Sequence, residues 1–241
     1  MLEHDLINSV TSEKLKELAS EGAEVALDNF LSDGVLKDIP IFWSLYKIYQ
    51  AGHSIRDAIF AKKVFRFLTG LKDIPSSQRK AFIEKMDGSE IFNHRVGEKL
   101  IVILDRLDDL DKPTIIARLF KATVCETIKF ETFLKLASIV DKAFLPELLR
   151  LNGEVDHRGF FYTERNFTKE TIEHFYTIGI FSMTIKDDKM LKRIQAEATI
   201  GGKPKDEFVP RMEYEINKIG EKLVKFGMME HYVANQYDME E

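Results

Sequence analysis

From about residue 12 to residue 151, apolar positions recur three or four residues apart, the period of an amphipathic helix. Ser12 precedes "EKLKELASEGAEVALDNFL", where Leu15, Leu18, Gly22, Val25 and Phe30 or Leu31 fall on one stripe, and Gly34 supplies a stop. A second helix is predicted from Pro40, whose fixed φ suits a first helical position, to Gly52. A third opens at Ser54, with Asp57 three residues on as a weak capping box, and runs to about Gly70. The same signals place helices on "SQRKAFIEKM", "EIFNHRVGEKLIVILDRL", "TIIARLFKATV" after Asp111 and Pro113, "FETFLKLASIVDKAF" and "LPELLRL". No fixed-period repeat interrupts them, so an irregular helical bundle is predicted. Its core is expected to draw on Val25, Phe30, Ile41, Leu45, Ile59, Phe65, Leu68, Leu104, Ile116, Phe120, Phe133 and Leu148.

After Gly153 the pattern changes. "GEVDHRGFFYTERNF" is aromatic without helical period and reads as a linker with an extended stretch. Thr168 then caps "KETIEHFYTIG", which ends at Gly179. In "RMEYEIN", Met212, Tyr214 and Ile216 alternate with Arg211, Glu213 and Glu215, as in a half-buried strand. Asn217 caps a last helix, "KIGEKLVKFG", before a polar tail. The predicted architecture is therefore mainly α: a helical bundle over 1–155, a small α+β unit over 156–235 and a tail over 236–241.

Composition narrows the function classes. A net charge of −5 gives no general affinity for nucleic acid. Cys125 is the only cysteine, so neither an intrachain disulfide nor a cysteine-based zinc site within the chain is possible, and a reducing compartment fits. "MLEHDLINSV" lacks the basic-then-apolar pattern of a secretory signal, and no uncharged apolar run approaches the ~20 residues of a spanning helix. A cytoplasmic protein is expected.

Candidate chemistry is sparse. His4, His53, His94, His157, His174 and His231 are scattered, and none pairs at zinc-helix spacing. Glu170 and His174 stand one helical turn apart, a spacing that fits a shared proton or an exposed helix-face pair. The acidic run "DRLDDLDKP" lacks the alternation and the central glycine of a calcium loop, and Asp111 reads as a helix cap. "GGKPK" lacks the spacing and the Ser or Thr of a phosphate loop. No catalytic signature emerges, and neither cofactor nor metal is expected.

Charge is nevertheless segregated. Val35 to Lys72 holds seven basic residues and two acidic ones inside an acidic chain. The segment is apolar on two faces, which fits a helix packed between others, and its charges and aromatics fit a contact surface. Trp43, Arg56, Lys62, Lys63 and Arg66 are the candidate contact residues, for an acidic protein partner or an anionic membrane.

Two resemblances add to this. The helix ending in Gly179, the strand pair and "EYEINKIGEKLVKF" resemble the second half of a winged-helix domain, over roughly residues 165 to 228. That implies a DNA-binding regulator as one alternative. Glu164 to Glu241 carries more carboxylates than cations, however, so specific DNA binding is not expected. The whole chain, through "LDNFLSDGVLKDIPIF", "GHSIRDAIFAKKVFRFL", "GEKLIVILDRLDDLDKPTIIARLFKA" and "EYEINKIG", is similar to bacterial proteins of the Abi-alpha group. The resemblance implies a mostly helical bacterial protein of abortive infection and phage defence, with no activity attached; as no catalytic signature is present, a non-enzymatic protein that works by interaction or sensing is expected, with a peripheral membrane effector as a further alternative.

Overall fold

A computed structural model describes residues 1–20, 36, 38–52, 54–88, 96–151, 155–156, 159–160, 167–186 and 211–229. Val25, Phe30, His53, His94, His157, His231 and the "GGKPK" turn lie outside the described residues. The helices are α1 (Leu2–Thr11), a 3-10 helix (Glu13–Ser20), α2 (Pro40–Gly52), α3 (Ile55–Thr69), α4 (Ser76–Asp87), α5 (Val96–Arg106), α6 (Lys112–Val124), α7 (Phe130–Lys142) and α8 (Leu145–Arg150). Next come β1 (Val155–Asp156), β2 (Gly159–Phe160), α9 (Lys169–Thr177), β3 (Phe181–Lys186), β4 (Arg211–Ile216) and α10 (Lys218–Leu223), which continues as a π-helical turn, Val224–Met228. The chain is mainly helical, with β3 and β4 forming a small antiparallel pair near the C-terminal end.

Two expectations about the first residues are corrected. The helical pattern begins at Leu2, not at residue 12, because Leu2, Leu6 and Val10 already form an i, i+4 stripe. Residues 13–20 adopt 3-10 rather than α geometry. The start of α2 is then held from outside its own strand of sequence. Ser9 Oγ of α1 accepts from the Ile41 amide at 3.0 Å, and Ser44 Oγ donates to Asp5 at 2.7 Å. A side chain from another helix thus satisfies one of the free amides that every helix start exposes.

The centre of the bundle is α6, buried on nearly all sides through Ile115, Ile116, Ala117, Leu119, Phe120, Thr123 and Val124. The Phe120 ring lies 5.7 Å from Phe67 of α3, 5.5 Å from Phe82 of α4 and 5.4 Å from Phe133 of α7. These are tilted and edge-on contacts, the arrangements aromatic quadrupoles favour. Of the expected core residues that are described, all are buried except Ile59, which is 41% exposed.

At the C-terminal end the motif around "INKIG" has a physical reason at each position. Gly179 takes φ +89°, which turns the chain from α9 into β3. Asn217 Oδ1 accepts from the Ile219 and Gly220 amides, both at 3.0 Å, and its Nδ2 donates to the Gly179 carbonyl at 3.0 Å. Any β-carbon on Gly220 would stand 2.5 Å from the Ile180 carbonyl oxygen, so only glycine lets α10 lie this close to the start of β3. The π-helical turn then packs on α6, where Gly227 approaches Ile115 and Leu119. One apolar cluster runs from Leu6 to Met228, across the boundary expected at residue 155.

Phe120→Ala is expected to lower unfolding free energy by about 3–5 kcal/mol, because it opens a cavity where four helices meet. Urea denaturation of parent and variant checks this. A loss below about 1 kcal/mol would mean that the ring is not central to the packing.

Candidate functional site

The basic, apolar helix α3 divides its residues between the interior and the outside. Phe65 turns toward α2, its ring 6.2 Å from that of Phe42. Lys63 turns toward α5 and gives its ammonium to the Asp105 carbonyl at 3.1 Å. At about 100° per residue, Ile55, Ile59, Lys62 and Arg66 fall on a stripe between these two directions. Their burial agrees: Ile55 is 79% exposed and Ile59 is exposed, while Lys62 and Arg66 are half-buried. On the neighbouring helix, Trp43, Lys47 and Gln50 form an exposed stripe of their own.

Each expected contact residue has a definite environment. Trp43 is 44% exposed, its ring stacked on Tyr46 at 5.8 Å, with the Lys47 ammonium 5.0 Å from its centroid. Arg56 reaches both carboxylate oxygens of Asp105, at 3.1 and 2.8 Å. Arg66 donates to the Leu110 carbonyl at 2.9 Å and to the Asp111 carboxylate. Lys63 is 7% exposed, and burial pushes its pKa down while the Asp105 charge opposes that shift. Lys62 and Trp43 therefore face outward, Arg56 and Arg66 are already paired within the chain, and Lys63 belongs to the interior.

The acidic run thereby acquires a partner that sequence alone does not reveal. Asp105 and Asp111 take the arginines of α3, and Asp108 takes Lys112, whose side chain is fully buried, at 2.5 Å. Lys112 also donates to the Asp141 carbonyl at the end of α7, at 3.0 Å. Asp111 stands at the N-cap of α6 without capping it through its side chain, a correction to the expected role: that carboxylate is committed to Arg66.

No family model, no curated protein and no solved structure matches this chain.

His174 pairs with a residue 27 positions away. Its Nδ1 lies 3.4 Å from Glu147 Oε2, and Thr171 Oγ1 donates to Glu147 Oε1 at 2.8 Å. Glu170 faces solvent instead, where hydrogen bonds to its own backbone and to Thr168 lower its pKa. Helix α9 exposes Lys169, Glu170, Glu173, Tyr176 and Thr177, a surface with two carboxylates that would repel a DNA phosphate. Cys125 is exposed, with its thiol pKa raised by burial of the sulfur's surroundings. Among the described residues, no group of three or more His, Cys, Asp or Glu could hold a metal ion.

Arg79 was outside the expected set and is the most consequential polar side chain in the interior. It is 1% exposed and donates to the carbonyls of Val10 at 2.6 Å, Ser12 at 2.6 Å, Leu71 at 3.2 Å and Ile74. The signal was present: Arg79, Phe82, Ile83 and Met86 share the i, i+3, i+4, i+7 spacing of one helix face.

The Lys112 contact makes acid stability testable. The hydrogen bond from Lys112 holds the Asp108 pKa below its ordinary value. A depressed carboxylate contributes stability above its unfolded pKa of about 3.9 and loses it as pH falls through the folded value. Asp108→Asn is therefore expected to be less stable than the parent near neutral pH, with the two urea midpoints converging in acid. Parallel curves down to the lowest pH at which both fold would contradict this assignment.

Proposed function

We propose that the chain is a non-enzymatic interaction protein of phage defence that acts by contact through the outward face of α2 and α3. The observation that carries this is the uncovered pair Ile55 and Ile59, one turn apart on α3, together with the exposed Trp43 of the neighbouring α2. Single exposed apolar residues are ordinary on protein surfaces, but this face adds an aromatic stack and cations to its apolar pair. The likeness of the chain to Abi-alpha proteins supports the biological context, and the face supports the mode of action. A partner is met by Trp43, Ile55, Ile59 and Lys62, with Arg56 and Arg66 at the margin where their own carboxylates already stand.

Host cells that express the chain are expected to form fewer plaques when challenged with phage. Ile55→Glu combined with Ile59→Glu is expected to abolish that protection while leaving the thermal melt unchanged, since exposed substitutions rarely shift stability by more than about 0.5 kcal/mol. A photo-crosslinking residue at position 59 is expected to form adducts in infected cells. A double variant that folds and protects as fully as the parent would refute the role of this face.

A further inference from the structure

The α2–α3 face combines residues that are seldom found together in the middle of a protein–protein interface. Such interfaces are depleted of lysine at their centres. Here Lys47 lies over the exposed Trp43 ring, and Lys62 sits on the same stripe as Ile55 and Ile59. Asp57, the one carboxylate of residues 40–72, is half-buried, while the exposed Asp38 and Asp73 flank that range and the Asp105 and Asp111 carboxylates stand at the arginine edge. An amphipathic aromatic ring, two isoleucines and flanking cations match the chemistry of a headgroup layer, where the rings and alkyl chains enter the boundary and the ammonium groups reach lipid phosphates. No helix among the described residues is long and apolar enough to cross a membrane, so such a contact would be peripheral.

We infer that the α2–α3 face seats on an anionic phospholipid surface, which rests on the reading of this face as an interaction surface. The internal ion pairs permit this. Arg56 and Asp105 have side chains 77% and 40% exposed, and exposed pairs of this kind contribute ~0–1 kcal/mol, so a lipid phosphate can take the place of the carboxylate at little cost. Lys63 and Lys112 are held by main-chain carbonyls in the interior and remain there. The lipid surface therefore meets Lys47, Lys62 and the arginine edge, while the buried lysines keep the fold in place.

Trp43 is the only tryptophan in the chain, so its fluorescence reports on this face alone. The full chain is titrated with vesicles of phosphatidylcholine, with and without phosphatidylglycerol, and followed by Trp emission and co-sedimentation. Vesicles containing phosphatidylglycerol are expected to shift the emission to the blue and to sediment the protein, and added salt is expected to reverse both. Each basic residue near such a surface contributes about a fivefold gain in binding, so Lys47→Glu with Lys62→Glu is expected to weaken it tenfold or more, at about 1.4 kcal/mol per tenfold step. Ile55→Glu with Ile59→Glu is expected to remove the blue shift. Circular dichroism melts of both double variants check that they fold. The inference is overturned if neither vesicle type shifts Trp43, if sedimentation occurs without a shift, or if folded variants bind as the parent does. A blue shift with polyglutamate but not with phosphatidylglycerol also overturns it, and assigns the face to an acidic protein. Failure with vesicles alongside protein crosslinks from position 59 leaves the interaction reading standing; failure of both removes it as well.

Discussion

Helix ends in this bundle are closed by cations that come from other helices. The last carbonyls of any helix have no amide of their own to accept from, and burying them unpaired is costly. Lys63 of α3 takes the Asp105 carbonyl at the end of α5, and Lys112 of α6 takes the Asp141 carbonyl at the end of α7. Arg118 of α6 takes the Met228 carbonyl where the π-helical turn ends. Arg79 of α4 does this for two segments at once, the end of α1 and the turn after α3. A positive charge at a helix C-terminus is favoured by the helix dipole, and these contacts also fix how one helix end sits against the side of the next.

This arrangement changes the meaning of the charge pattern in the chain. The surplus of basic residues between 35 and 72 looks like one surface when read along the sequence. In space its members on α2 and α3 divide three ways: Lys63 closes a helix end, Arg56 and Arg66 clasp the acidic turn, and Lys47 and Lys62 remain toward solvent. The acidic run and the basic helix, separated in sequence by some forty residues, are two halves of one contact. What is left for a partner is smaller than the sequence suggests, and more apolar, because Ile55 and Ile59 lie on it.

Much of the helical architecture is legible from local signals because the residues that punctuate it act on their own neighbourhood. Ser54, Thr168 and Asn217 cap the helices they precede, and Gly179 ends α9. The strand from Arg211 to Ile216 is visible in its alternation. Other features depend on contacts that no local window contains. Ser9 caps a helix 32 positions away, Asp111 is drawn off its cap by Arg66, and His174 finds Glu147 in place of Glu170. Ile59 has the spacing of a core residue, yet Phe65 and Lys63 orient α3 so that position 59 points away from both neighbours. Of the candidate site, Trp43 and Lys62 were legible as outward residues of an amphipathic segment; which of the basic residues would be consumed inside was not.

The buried arginine offers the most direct test of the idea that cations hold the helix ends. Lysine keeps the charge at position 79 but brings a single ammonium in place of a planar fork, and it cannot serve four carbonyls on two segments. Equilibrium urea unfolding of Arg79→Lys is predicted to show a loss of about 2 kcal/mol or more, the cost of leaving buried carbonyls without donors. In the same variant, native-state hydrogen exchange should quicken in α1 and in residues 70–75 together, with α9 and β3 unaffected. A variant within about 0.5 kcal/mol of the parent, with unchanged exchange in both segments, would contradict the account, because it is what a solvated surface arginine would give.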